Sequence, residues 1–119
     1  MEEQRLSHYE RQERPWGQFE RFTLEEATTV KVVSVLAGAS LSLQKHENRD
    51  EFWRILSGDG EITLGEERKK VTQGDECFVA RKTNHRISAG ENGLTFLEIA
   101  FGNFDENDIT RLEDKYGRA

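Results

Sequence analysis

Short apolar segments separated by Gly-rich turns recur through the middle of this 119-residue chain, and they constrain the fold more than any other feature. Some segments are runs of β-branched residues, and others alternate apolar and polar residues as half-buried β-strands do. The segments cover residues 30–35, 41–46, 52–56, 61–64, 77–79, 85–87 and 94–101. Strands at intervals of about 8–12 residues with Gly-rich turns between them predict an antiparallel sandwich or barrel.

Three groups of turn residues divide these segments. Residues 57–60, with the sequence Ser-Gly-Asp-Gly, predict a turn that ends the third strand. Gly65 and Glu66 predict a hairpin between the strand at 61–64 and a strand that runs to Val71. Residues 90–93, with the sequence Gly-Glu-Asn-Gly, predict a turn before the last long strand.

The two ends of the chain differ from its centre. Residues 1–13 are almost entirely polar and predict an N-terminal arm or a short helix. Residues 14–104 contain the predicted strands and form the expected β-barrel. Residues 105–119 are expected to pack on the barrel as a helix or tail, with an N-cap at residues 105–108 and a helix over residues 109–115. The expected class is therefore all-β, with short terminal helices.

Composition excludes several classes of function. The 23 acidic residues outnumber the 17 basic ones, and a formal net charge of -6 disfavours nonspecific binding to nucleic acid or to anionic membranes. No apolar run approaches the roughly 20 residues that span a bilayer, and the first residues lack the apolar region of a secretory signal. The single cysteine, Cys77, cannot form an internal disulfide and is expected in the core. We therefore expect a cytoplasmic protein.

Four polar side chains predict a metal site inside the barrel. Gln44 and His46 are two residues apart on a predicted strand, so both point to the same face. Glu51 begins the next strand, and His85 begins a later one. Imidazole, carboxylate and amide ligands suit a divalent cation such as Zn, Fe, Ni or Mn, and they leave positions for water or substrate. The alternative is that the two histidines are ordinary residues at strand ends.

These residues lie in a spaced pattern that resembles the first cupin motif. The pattern comprises Gly38, Gln44, His46, Glu51 and Gly58, with Gln44 in the place of the first motif histidine. A second segment is similar to the second cupin motif. It keeps Gly74 and His85 but has Ala80 for a proline, Lys82 for a glycine and Ala89 for an asparagine. The resemblance implies a cupin-type antiparallel β-barrel or jelly-roll sandwich.

Further features resemble one cupin family, the type II mannose-6-phosphate isomerase domain, which is commonly the C-terminal domain of mannose-1-phosphate guanylyltransferase/isomerase enzymes. The most specific are the Arg-Pro-Trp-Gly sequence at residues 14–17 and the Glu-Asp-x-Tyr-Gly-Arg sequence at residues 113–118. The resemblance implies isomerisation of mannose 6-phosphate to fructose 6-phosphate with one divalent ion (Zn, Mn, Fe, Co or Ni), and a homodimer. Glu47, Asn48 and Phe52 stand where the family commonly has further histidines.

Such a reaction needs a base and a cationic group for the phosphate. Glu98 is the candidate base because it lies between apolar neighbours in a strand, facing either the cavity or solvent. The candidates for binding the phosphate are Arg14, Arg49, Lys82 and Arg118. For Arg14 the alternative is a structural turn in which Trp16 covers the core.

Two other functions fit the same residues. A noncatalytic cupin that binds a sugar phosphate or another small molecule is favoured by the altered loop at residues 80–84 and by the absent histidines. A non-haem metal oxygenase is the third hypothesis, because one fold supports many chemistries.

Overall fold

The computed structural model describes residues 6–102, 105 and 107–114, which form nine β-strands and no helix. The strands are β1 (Glu10–Arg14), β2 (Gly17–Arg21), β3 (Thr28–Val35), β4 (Leu43–Lys45), β5 (Arg49–Leu64), β6 (Glu67–Thr72), β7 (Glu76–Val79), β8 (His85–Gly102) and β9 (Thr110–Glu113). All the pairings are antiparallel. The all-β prediction is confirmed. No helix in the described part of the chain is long and apolar enough to cross a membrane.

Strands β1 and β2 form a hairpin of their own, and the other seven strands form one large sheet. Its path runs β6-β5-β8-β4-β9, while β3 pairs with β8 and β7 pairs with β5. The sheet folds into a two-layered sandwich because side chains from both of its halves, such as Ile62 and Phe96, share one buried core. The described strands do not close into a barrel, so the sandwich form of the cupin prediction is the correct one.

Two of the predicted turns are wrong, because β5 and β8 are long strands that continue through them. Gly58 lies inside β5 with a φ of 84°, next to a register shift in its pairing with β8. A Cβ on Gly58 would lie 2.1 Å from the carbonyl oxygen of Gly93 in β8. The glycines at 58–60 and 90–93 therefore allow two backbones to approach and bend, as β-bulges do, without ending either strand. The hairpin at Gly65 and Glu66 is confirmed.

The predicted terminal helices are also wrong where the structure describes them. Residues 10–14 are β1 and residues 110–113 are β9, which pairs with β4. The short tail pattern fits either element, and pairing with the edge of β4 satisfies its backbone groups. Lys115 and the remaining tail lie outside the described residues. Trp16, expected to cover the core, is 73% exposed at the tip of the β1–β2 hairpin.

Strand β3 exposes apolar side chains on its outer face. Val30 and Val32 are 58% and 63% exposed, whereas Lys31 and Val33 line a cavity of the sandwich. Cys77 is buried in the main core, as expected. Exposed apolar residues such as Val30 and Val32 are consistent with a homodimer, which stays a prediction.

Candidate functional site

The predicted ligands meet in one cavity of about 190 Å³ between the two layers. Gln44 comes from β4, Glu51 from β5 and His85 from β8, while His46 directly follows β4. Gln44 is paired with His85 in the β4–β8 register. Two long strands and one short strand therefore bring together residues that are 41 positions apart from first to last.

Two histidines and one carboxylate form the centre of this cavity. His46, Glu51 and His85 are all buried, and each can offer one ligand atom such that these atoms lie within 4.8 Å of one another. The Nε2 atom of His46 is 3.4 Å from one carboxylate oxygen of Glu51, and that of His85 is 4.0 Å from the other. The Glu51 carboxylate thus lies between two imidazole nitrogens.

The outer nitrogens of both rings are held by backbone carbonyls. Nδ1 of His46 lies 2.6 Å from the carbonyl oxygen of Asp108, and Nδ1 of His85 lies 2.9 Å from that of Thr83. A carbonyl can only accept, so each Nδ1 carries the proton and each neutral ring presents its Nε2 lone pair to the cavity. Burial lowers the pKa of His85 below its usual range, which favours this neutral form.

The donor set of the cavity fits a divalent cation. Two neutral imidazole nitrogens and one carboxylate converge on the same space, and Gln44 adds an amide to the lining. Nitrogen and oxygen donors of this kind bind the mid-row divalent metals, and their carbonyl partners orient them as metal-bound histidines usually are.

Arg49 lies among these donors. Its Nε donates to Glu51 Oε2 at 3.0 Å, and its Nη2 donates to His46 Nε2 at 3.2 Å. A third hydrogen bond runs from Nη1 to the carbonyl oxygen of Asp105 at 3.3 Å. The buried guanidinium thus balances the Glu51 charge and uses the same two acceptor atoms that a metal ion would use.

Glu98, the candidate base, lines this cavity beside Glu51. Burial raises the pKa of Glu98 to about 7, and the negative charge of Glu51 acts in the same direction. The positive charges of Lys31 and Arg49 oppose that increase. Glu98 therefore faces the cavity, which was one of the two positions that the sequence left open, and its role as a base stays a prediction.

Lys31 is the cavity residue that sequence reasoning missed. It is the Cα partner of Glu98 in the β3–β8 register, and its side chain lines the same cavity. Valines stand at 30 and 32 as well as at 33 and 35, so alternation along β3 does not show which face Lys31 is on. The one available signal was the pair Val33 and Val35, which share the face of Lys31.

Two of the predicted phosphate-binding cations, Arg14 and Lys82, do not line this cavity. Arg14 is exposed on the β1–β2 hairpin, with its guanidinium 5.1 Å from the centre of the Phe19 ring. Lys82 is exposed in a turn, where its backbone N–H donates to the carbonyl oxygen of His46 at 2.6 Å. Arg118 lies outside the described residues. Of the three candidates that the structure describes, Arg49 lines the cavity.

Two loops outside the cavity hold the histidines in place. The loop at residues 80–84 contacts His46 through Lys82 and His85 through the Thr83 carbonyl. The carboxylate of Asp108 accepts hydrogen bonds from the backbone N–H groups of Glu47 and Asn48, which lower its pKa. Asp108 was expected to cap a helix, and it instead fixes the turn that follows His46.

Comparison with known proteins agrees with this geometry. Residues 1–114 match the sequence model of the family described as mannose-6-phosphate isomerase C-terminal. The chain belongs to the mannose-6-phosphate isomerase C-terminal family. The family resemblance inferred from the motifs is therefore confirmed, and so is the cupin fold, as the similar solved structures show.

The relatives of this family member include much longer proteins. The xanthan biosynthesis protein XanB of Xanthomonas campestris pv. campestris is 37% identical over 107 residues, covering 88% of this chain and 23% of XanB. The mannose-1-phosphate guanylyltransferase ManC of Salmonella typhimurium is 31% identical, covering 88% of this chain and 22% of ManC. The chain thus spans less than a quarter of the length of these relatives. A cupin protein from Bacteroides fragilis is 27% identical with a TM-score of 0.59, covering 71% of this chain and 77% of the other.

The departures from the type II pattern lie away from the cavity. Glu47 and Asn48 are exposed, and Phe52 packs in a second apolar cluster with Leu6 and Ile99. Phe52 points away from the cavity because Glu51 and Trp53, its neighbours in β5, point into it. A histidine at any of these three positions would therefore not add a group to the cavity of this family member.

Proposed function

We propose that this protein is a metal-dependent sugar-phosphate isomerase that interconverts mannose 6-phosphate and fructose 6-phosphate. One observation carries the proposal. The carboxylate of Glu98 faces the same buried cavity as the cluster of His46, Glu51 and His85. An aldose–ketose isomerase needs this combination, because a base must work beside a group that polarises the carbonyl.

Five polar residues of the cavity have a role in this proposal. Gln44, His46, Glu51 and His85 would hold the divalent ion. When bound, the ion supplies a Lewis acid that polarises the substrate carbonyl and the neighbouring hydroxyl. Glu98 takes the proton from one of the two carbons, C2 in the aldose, and returns it to the other. Family membership favours this reaction over others that the same fold supports.

The walls of the cavity suit a proton transfer that must be protected from water. Trp53 and Phe96 are 2% and 0% exposed, and both line the cavity. The indole Nε1 of Trp53 donates to Glu51 Oε1 at 3.1 Å, and its ring packs edge-on against His85 with centroids 5.5 Å apart. These contacts limit the motion of Glu51 and His85, so both stay oriented during a reaction cycle.

The noncatalytic alternative rests on sequence departures that the cavity does not share. Glu47, Asn48 and Phe52 lie outside it, and the loop at residues 80–84 keeps its backbone contacts with both histidines. These observations support a catalytic site over a binding site alone. The oxygenase hypothesis shares the donor set of two histidines and one carboxylate, so Glu98, which that chemistry does not require, is the residue that favours the isomerase over it.

Turnover of mannose 6-phosphate tests the proposal. The purified protein is loaded with Mn²⁺, Zn²⁺, Co²⁺, Ni²⁺ or Fe²⁺ in turn, and fructose 6-phosphate is detected by NMR. We expect turnover that His85→Ala abolishes. The matched control is His8→Ala, because His8 is an exposed residue that contacts Glu26 on the surface. Saturable binding without turnover would favour the noncatalytic alternative, and oxygen consumption with Fe²⁺ would favour the oxygenase.

A further inference from the structure

The inward orientation of Lys31 needs an explanation. In β3 the residues that face out are Val30 and Val32, while Lys31 and Val33 face the cavity. This arrangement exposes two apolar side chains and turns a half-buried lysine toward the cavity. A lysine that faces such a cavity loses part of its hydration, which a charge or a ligand in the cavity can compensate. The position is therefore costly for a purely structural residue.

Lys31 and Arg49 place positive charge on two sides of the cavity. The sheet order is β3, β8, β5, so Lys31 on β3 and Arg49 on β5 lie on opposite sides of β8. They are the lysine and the arginine among the described residues that line this cavity. Arg49 contacts His46 and Glu51, and Lys31 is the Cα partner of Glu98 across the β3–β8 strand pair.

We propose that Lys31 binds the phosphate group of the substrate, an assignment that rests on the proposed function. A chain with a net charge of -6 repels a phosphate ester at long range, so the cavity must supply local positive charge. Arg14 and Lys82 do not reach the cavity. The lysine ammonium is a compact charge on a flexible four-carbon stem, which lets it move from the wall toward a bound phosphate.

A second role for Lys31 would be to neutralise Glu98 and nothing more. The two roles differ in which ligands depend on the lysine for their affinity. A phosphate-binding lysine discriminates mannose 6-phosphate from mannose, because the neutral sugar has no group for it. A counter-ion of Glu98 acts on both sugars alike, since they share the carbons at which Glu98 is placed.

The experiment compares the variants Lys31→Gln and Lys31→Arg with the wild-type protein, all loaded with Mn²⁺. Lys70→Gln is the matched control, since it removes the same charge from the exposed strand β6. Calorimetry gives the dissociation constants of mannose 6-phosphate, mannose and inorganic phosphate. We expect Lys31→Gln to weaken both phosphate-containing ligands about tenfold or more and to leave mannose unchanged, as for a lost charge-assisted hydrogen bond. Lys31→Arg should recover most of the affinity.

The results separate this assignment from the proposed function. If wild-type protein has no isomerase activity but Lys31→Gln weakens phosphate binding selectively, the assignment holds and the isomerase proposal fails. If wild-type protein turns over mannose 6-phosphate and Lys31→Gln has an unchanged KM, only the assignment fails. Equal weakening of both sugars, or a wild-type protein that binds no phosphate ligand, would also overturn the assignment.

Discussion

Replacing Arg49 by methionine should strengthen metal binding while weakening the metal-free fold. The guanidinium of Arg49 donates to Glu51 Oε2 and to His46 Nε2, two of the atoms that a metal ion would use. Arginine and metal therefore compete for the same acceptors. Methionine keeps the apolar stem of the side chain and removes the charge.

The size of the effect follows from a thermodynamic cycle. Glu51 is 1% exposed, so without Arg49 the metal-free protein holds a buried carboxylate that has lost its guanidinium partner and keeps the hydrogen bond from Trp53. Breaking a buried ion pair in this way costs about 3–5 kcal/mol. In the metal-loaded protein the metal itself compensates Glu51, and the loss should be nearer about 1 kcal/mol, the value of one ordinary hydrogen bond. The difference, at least about 2 kcal/mol, corresponds to metal binding that is roughly 30-fold tighter.

Two measurements test this cycle. Urea unfolding in the presence of a chelator gives the stability of the metal-free protein, and titration with Mn²⁺ or Zn²⁺ gives the affinity. Trp53 offers a local fluorescence signal, because its indole donates to Glu51. Arg54→Met is the matched control. Arg54 also lies on β5, but it pairs with Glu20 away from the cavity, so its loss should lower stability and leave metal affinity unchanged.

The competition would be refuted by one clear outcome. If Arg49→Met binds metal no more tightly than wild type, and its metal-free form unfolds at an unchanged urea concentration, then the guanidinium does not occupy the metal position. Arg49→Lys serves where the methionine variant fails to fold. It keeps a positive charge but cannot span Glu51 and His46 with a planar fork, so we expect an intermediate gain in affinity.

Two further predictions concern stability. Hydrogen bonds from Arg54, and then from Tyr9, hold the pKa of Glu20 at about 2, so its contribution is present above about pH 4.5 and is lost as the pH falls toward 2. Glu20→Gln should therefore lower the free energy of unfolding by about 1–2 kcal/mol at pH 7, after allowance for screening by solvent. Urea unfolding near pH 2 should show no difference from wild type, and a difference that persists there would contradict the ion-pair account. Lys82 has a φ of 67° where the cupin motif has glycine, so Lys82→Gly should raise the free energy of unfolding by about 0.5–1 kcal/mol, and a loss of stability would show that the turn is not strained.

The sequence located most of the strands and pointed to four candidate ligands that the structure brings to one cavity, because both depend on local signals. Period-2 alternation located the strand around β4, short apolar runs located parts of β5, β7 and β8, and the spacing of Gln44, His46 and Glu51 marked the candidate ligand positions. Ligands at the ends of adjacent strands meet whatever the detailed path of the sheet. A prediction of this kind therefore tolerates errors in strand length.

The missed features depend on long-range contacts. The residues around Gly58 have the composition of a turn, yet their close approach to Gly93 produces a bend inside a long strand. In β3, valines occupy both parities, at 30 and 32 and at 33 and 35, so alternation could not decide which face is inner. Pairing with β8 decides it, and Lys31 becomes a cavity residue only through that pairing. The burial of Arg49 is likewise a long-range feature, because it depends on hydrogen bonds to both Glu51 and His46.

The charges in the cavity also predict that metal binding favours the subsequent binding of a phosphate ligand. Without metal, the carboxylate of Glu51 is balanced by Arg49, which leaves Lys31 beside Glu98 and little excess positive charge for an anion. A bound divalent ion would replace Arg49 as the partner of the Glu51 carboxylate and would add positive charge to the cavity. The displaced guanidinium would then need another anionic partner. Metal should therefore raise the affinity for a phosphate ligand, and by linkage the phosphate ligand should raise the affinity for metal by the same factor. In a chain with a net charge of -6, this coupling confines strong attraction for phosphate to the metal-loaded cavity.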